Sequence, residues 1–121
     1  MNRPEETLQR QVVGYLRLIP NLTFWTVPNQ RGTRSGFEMG ILKAMGVRAG
    51  VPDLHFILPN GRLGMIELKA GKGKPTDNQT AFIAEAIERG AYVEVCRSLD
   101  EVSQTLGRWL GPYGYKIPRV A

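Results

Sequence analysis

Residues 53–70 constrain this chain more than any other stretch, because they can do little except form a β-hairpin. Asp53 to Leu58 and Gly64 to Ala70 are apolar, β-prone runs, and Pro59-Asn60-Gly61-Arg62 between them carries an Asn-Gly turn signal. A hairpin brings its two outer ends together. Asp53 opens one strand, so it comes to lie near Glu67 to Lys69 at the end of the next. Side chains alternate along a strand, which puts Met65, Glu67 and Lys69 on one face and Ile66, Leu68 and Ala70 on the other. The apolar set can enter a core while two carboxylates and an ammonium converge on one point.

The other elements follow from periodicity. Leu8, Val12, Val13, Tyr15, Leu16 and Ile19 recur at helical spacing and predict an amphipathic helix over Glu5 to Leu18, with Pro4 in its first turn. Leu22 to Val27 is β-branched and aromatic and predicts a strand. Pro28 to Gly36 reads as a polar loop, Phe37 to Met45 as a short helix, and Gly46 to Pro52 as a glycine-rich segment carrying Arg48. Gly71 to Pro75 is a basic loop. Thr76 with Gln79 forms a capping box opening a helix to Arg89, stopped by Gly90. Ala91 to Cys96 is a strand, and Ser98 with Glu101 opens a last helix that Gly111 and Pro112 end. The order α, β, α, β, β, α, β, α predicts an α/β domain with a central mixed sheet flanked by helices. With 121 residues, one domain over 1–121 is expected.

Several function classes drop out. A single cysteine, Cys96, forbids an internal disulfide and a cysteine-rich zinc site, and its apolar surroundings predict a buried, inert thiol. One histidine and one cysteine leave few candidates for Cys-His or Ser-His catalysis. No apolar run reaches the ~20 residues of a membrane span, and the polar N-terminus does not resemble a signal peptide, so a cytoplasmic location is the default. Sixteen Lys and Arg against eleven Asp and Glu give a formal charge of +5, which suits a polyanionic partner.

The converging groups suit phosphodiester hydrolysis. Mg²⁺ takes hard oxygen ligands, commonly one or two carboxylates with water and phosphate oxygens. Asp53 and Glu67 supply carboxylates, and the carbonyl of Leu68 lies between the two side chains as a further ligand. Lys69 is placed to stabilise charge developing in the transition state. Taken alone, Glu67-Leu68-Lys69 is equally an ion pair on a solvated strand face. The preceding Pro52-Asp53, the apolar residue before Glu67 and the basic glycine loop after Lys69 favour the site. His55 shares the strand face of Asp53, but no feature marks it as a base. Trp25, Tyr92 and Trp109 read as core or interface residues.

Gly46-Val47-Arg48-Ala49-Gly50-Val51-Pro52-Asp53, Ile66-Glu67-Leu68-Lys69-Ala70 and the stretch from Pro75 to Gln79 resemble the VRR-NUC family of the PD-(D/E)XK nuclease superfamily. The resemblance spans Glu5 to Val102. It implies a restriction-endonuclease-like fold, dependence on Mg²⁺ with Mn²⁺ as a substitute, and endonuclease action on DNA, with branched substrates such as four-way junctions and homodimers among stand-alone members. It also implies a glutamate on the first helix, for which Glu5 fits and Glu6 is the competitor one residue on. Gln79 matches a family glutamine following the catalytic strand, besides its capping role. Asn29 resembles a loop asparagine of the family. Arg31, Arg34, Arg48, Lys72 and Lys74 flank the site as candidate phosphate contacts. A non-catalytic DNA-binding module on the same fold and an RNA nuclease are the alternatives. A dimer interface is open between the first helix and the tail around Trp109, Tyr113 and Tyr115.

Overall fold

The computed structural model describes residues 3–28 and 36–120. Its elements come in the predicted order: α1 (Arg3–Leu16), β1 (Thr23–Thr26), α2 (Gly36–Ala44), β2 (Leu54–Ile57), β3 (Leu63–Leu68), α3 (Asp77–Glu88), β4 (Tyr92–Cys96) and α4 (Leu99–Leu110). The strands form one mixed sheet in the order β1-β2-β3-β4. β1 and β2 pair antiparallel, as do β2 and β3, whereas β3 and β4 are parallel. The β2–β3 turn spans Pro59–Gly61, and Asn60 and Gly61 have φ of 66° and 73°. That conformation is the reason for the Asn-Gly pair.

Strand alternation divides the residues between two faces. Leu54, Phe56, Ile66, Leu68 and Cys96 bury against Val12, Tyr15 and Leu16 of α1 and Val102, Leu106 and Leu110 of α4. Gly64 lets Leu58 and Trp109 pack closely on this face, since a Cβ there would lie 2.8 Å from Leu58 Cδ1 and 3.0 Å from Trp109 Cζ3 and force those side chains to shift. The tail returns over the same core through Tyr115, Ile117 and Val120, and the Tyr15 hydroxyl donates to the Pro118 carbonyl. The opposite face of β3 meets α3, so β3 is buried on both sides from Gly64 to Leu68. A strand flanked on both sides by neighbours and covered on both faces tolerates charge only where the charge is paired.

Two capping expectations resolve differently. Thr76 Oγ1 accepts from Gln79 N at 3.2 Å and Gln79 Oε1 accepts from Thr76 N at 2.8 Å, a complete capping box. Ser98 Oγ accepts from Glu101 N at 3.1 Å, but Glu101 Oε1 accepts from the amide of Arg97, one residue before the cap. Lys69 lies just beyond β3, although its amide donates to the Cys96 carbonyl at 3.0 Å and extends the ladder by one step.

Candidate active site

The hairpin performs the predicted convergence. Asp53 precedes β2, and its carboxylate accepts from the backbone amide of Leu68, Leu68 N to Asp53 Oδ2 being 3.4 Å. The Asp53 carbonyl accepts from Val27 N at 2.9 Å, which ties the residue to the end of β1. Glu67 is 0% exposed and Lys69 4%, with Lys69 Nζ 3.6 Å from Glu67 Oε2. The solvated ion pair that an acid-X-Lys triplet equally allows is therefore not what forms. A fully buried carboxylate carries a large desolvation cost and has to be compensated by charge and hydrogen bonds.

Gln79 supplies part of that compensation. Its Nε2 donates to Glu67 Oε2 at 3.1 Å while its Oε1 closes the capping box. One amide thus performs both roles read from the sequence, and the cap dictates which end faces Glu67. The start of α3 is held against the loop before Asp53 by Gly50. That residue has φ +88°, and a Cβ there would lie 2.5 Å from the backbone carbonyl of Asn78. Only glycine suits both the conformation and the approach. Gly50 belongs to the segment that resembles the family, but its contact with α3 has no signature in the sequence.

The flanking groups divide. Lys72 and Lys74 are exposed on the loop directly after Lys69. That loop is held by Arg97, whose guanidinium donates to the carbonyls of Gly71 and Gly73. Nothing in the sequence distinguishes Arg97 from any exposed arginine. Arg48 is engaged elsewhere: it pairs with Glu85 and lies 4.9 Å from the centroid of the Phe82 ring, fastening its loop to α3. The Arg48 guanidinium holds the Glu85 carboxyl below its ordinary range. Asn29, Arg31 and Arg34 lie outside the described residues.

On α1, Glu6 pairs with Arg10 at 3.1 Å on the surface, while Glu5 is half-buried in the first turn. Among the described residues no three Asp, Glu, His or Cys side chains form a group able to hold a metal ion. His55 is half-buried with its ring 5.7 Å from that of Trp25, and Nε2 is 3.0 Å from the Pro52 carbonyl. Burial lowers its pKa, opposed by the Pro52 hydrogen bond and the charge of Asp53. Cys96 is the inert thiol expected, with its pKa pushed up by burial to about 11.

The donor chemistry fits a hard divalent cation. Asp53 and Glu67 offer carboxylate oxygens and Leu68 a carbonyl oxygen, so every candidate ligand is a hard oxygen. A mixed sheet that brings an acid before one hairpin strand to an acid-X-Lys segment on the next, with a helix start bonded to the second acid through Gln79, is the frame of a nuclease-fold domain. Comparison with known proteins gives the family: the VRR-NUC domain matches residues 19–100, and the chain belongs to that family. It is thus a nuclease-fold domain of DNA processing. A solved structure described as a VRR_NUC domain protein is 21% identical, with TM-score 0.71, over 92% of this chain and 91% of its own. Another, described as a VRR_NUC domain, is also 21% identical, with TM-score 0.63, over 88% of this chain and 97% of its own. No curated protein matches the sequence.

Proposed function

We propose that the protein is a Mg²⁺-dependent endonuclease that hydrolyses phosphodiester bonds in DNA, with Mn²⁺ able to substitute, and that it acts on branched duplexes. The observation that carries this reading is a fully buried glutamate, Glu67, gripped by Lys69 and Gln79 beside the strand pairing that anchors Asp53. Charge this costly to bury is retained where chemistry uses it.

Asp53, Glu67 and the Leu68 carbonyl would hold the cation, which when bound supplies Lewis-acid polarisation of the phosphate and a more acidic water. Lys69 holds its ammonium against the site and offsets negative charge that develops on the phosphate. Gln79 fixes the orientation of Glu67, and Glu5, half-buried in the first turn of α1, is the further acidic residue of the site. Lys72 and Lys74, with Asn29, Arg31 and Arg34, contact phosphates without reading sequence. Arg48 joins them only by giving up Glu85.

The same reading includes a homodimer, which would offer two cutting centres to a two-fold substrate. Of the tail residues considered for the interface, Tyr113 is exposed, and exposure otherwise favours another element. Trp109 is 9% exposed, Tyr115 packs on the core, and α1 buries Val12, Tyr15 and Leu16. By contrast α2 buries no residue and exposes Phe37 and Ile41, four residues apart on one side, followed by Met45 and Val47. An apolar face of that kind is characteristic of an interface, and α2 is the element we assign to it.

The test is incubation of purified protein with labelled duplex, four-way junction and RNA in Mg²⁺, Mn²⁺ or EDTA, alongside Asp53→Asn and Glu67→Gln. Cleavage of DNA, strongest on the junction, abolished by EDTA and by either substitution, is expected. Cleavage that survives EDTA, or near wild-type activity in either variant, would overturn the metal site.

A further inference from the structure

A second binding surface lies at the opposite end of β3. Between the β2–β3 turn, the end of α3 and the start of β4 runs an open groove of about 650 Å³, the size of a small-ligand site. Its lining includes Arg62, Arg89, Tyr92, Trp109 and Tyr113, and no carboxylate. Arg89 lies 3.7 Å from Glu88, an exposed pair of the weak surface kind.

The aromatic groups are stacked in order from core to groove. Phe56 meets Trp109 edge-on with centroids 6.0 Å apart, and Trp109 lies 6.0 Å from Tyr92 at an interplanar angle of 37°. The Arg62 guanidinium sits 4.5 Å above the Tyr92 ring. The outermost member of this series is therefore a planar cation held by the ring beneath it, and Arg62 itself lines the groove. Tyr113, 57% exposed, lies on the same groove. Planar guanidinium groups and aromatic rings are the two surfaces on which unpaired nucleobases stack.

We infer that this groove is a subsite for single-stranded DNA, in which an unstacked base lies on the Arg62 guanidinium beside Tyr113, with Arg89 toward the phosphates. The choice of DNA rests on the proposed function, and the binding itself needs no cleavage. The groove reaches Met65, two residues before Glu67 on the same strand face, while its Arg62 end lies beyond Leu63, itself about 13 Å from Glu67 at ~3.3 Å per residue.

The test uses the full chain carrying Trp25→Phe, which leaves Trp109 as the single tryptophan, in EDTA. Its fluorescence is followed as a 15-nucleotide oligothymidylate is added. Saturable quenching is expected. An abasic oligomer of equal length should bind about tenfold more weakly, as should Arg62→Ala, Arg62→Lys and Tyr113→Ala in the same background. Lys keeps the charge and loses the plane, so full affinity in Arg62→Lys would reduce Arg62 to a phosphate contact and overturn the inference. So would an abasic oligomer that binds as tightly as the base-bearing one, or the absence of saturable quenching. Preferential binding of oligouridylate RNA over DNA would overturn the assignment to DNA. Failure of the wild-type protein to cleave any substrate would instead refute the proposed function and leave this binding result standing.

Discussion

Lys69 is a charged side chain that the fold takes out of solvent. As part of a strand-end triplet it could have stood in solvent, yet it ends 4% exposed with its ammonium 3.6 Å from Glu67. A buried ammonium beside a carboxylate acts through charge at a fixed point, which in the proposed function serves the transition state and not the binding of DNA. Lys69→Met, which fills the volume without the charge, should lower single-turnover cleavage about a hundredfold or more while changing the Kd for DNA little. Anisotropy titration and a quench time course on the same samples separate the two. Weakened binding with unchanged cleavage at saturating DNA would make Lys69 an ordinary phosphate contact.

At the scale of elements, the site depends on α3 keeping its distance from the segment before β2. Gly50 sets that distance, since its positive φ and its approach to Asn78 leave no room for a methyl group. A Cβ at 2.5 Å from backbone cannot be relieved by a rotamer change, so either the loop or the helix end must move. Gly50→Ala should therefore cost about 2 kcal/mol or more, lowering Tm by on the order of 5–10 °C. It should also reduce cleavage, because Gln79 and Asp53 are carried by the two displaced segments. Thermal melts followed by circular dichroism, paired with activity at a temperature where the variant is folded, check both effects. An unchanged Tm would show that the packing is looser than the backbone approach implies.

The whole molecule carries a formal +5, and two of its exposed cations, Lys72 and Lys74, stand on a loop that Arg97 clamps beside the site. Each duplex phosphate that a lysine neutralises adds about 0.9 to the slope of log K against log salt. Replacing both lysines with Ala should therefore flatten that slope by about 0.9 per phosphate set free. An unchanged slope would place the DNA on another surface. Assembly belongs to this scale as well. The apolar face of α2 predicts a dimer at micromolar protein, and Phe37→Glu with Ile41→Glu should convert it to a monomer of 13.5 kDa by sedimentation. A monomeric wild type with full activity on a four-way junction would end that assignment. No helix among the described residues is long and apolar enough to cross a membrane.

What the sequence determined by itself was local or nearly so. The Asn60-Gly61 turn, strand alternation through Glu67 and the Thr76–Gln79 capping box each depend on backbone preferences within a few residues, and the hairpin turned them into the Asp53–Leu68 contact. The order of elements was legible for the same reason. Only the tertiary structure decided which groups are buried, because burial depends on what covers a face. It set Gln79 of α3 against Glu67, buried Lys69, left α2 uncovered among the described residues, committed Arg48 to Glu85 and gave Arg97 the loop to hold. These are pairings between residues far apart in the chain, and neither periodicity nor composition records such a pairing, since each partner taken alone is an ordinary surface residue.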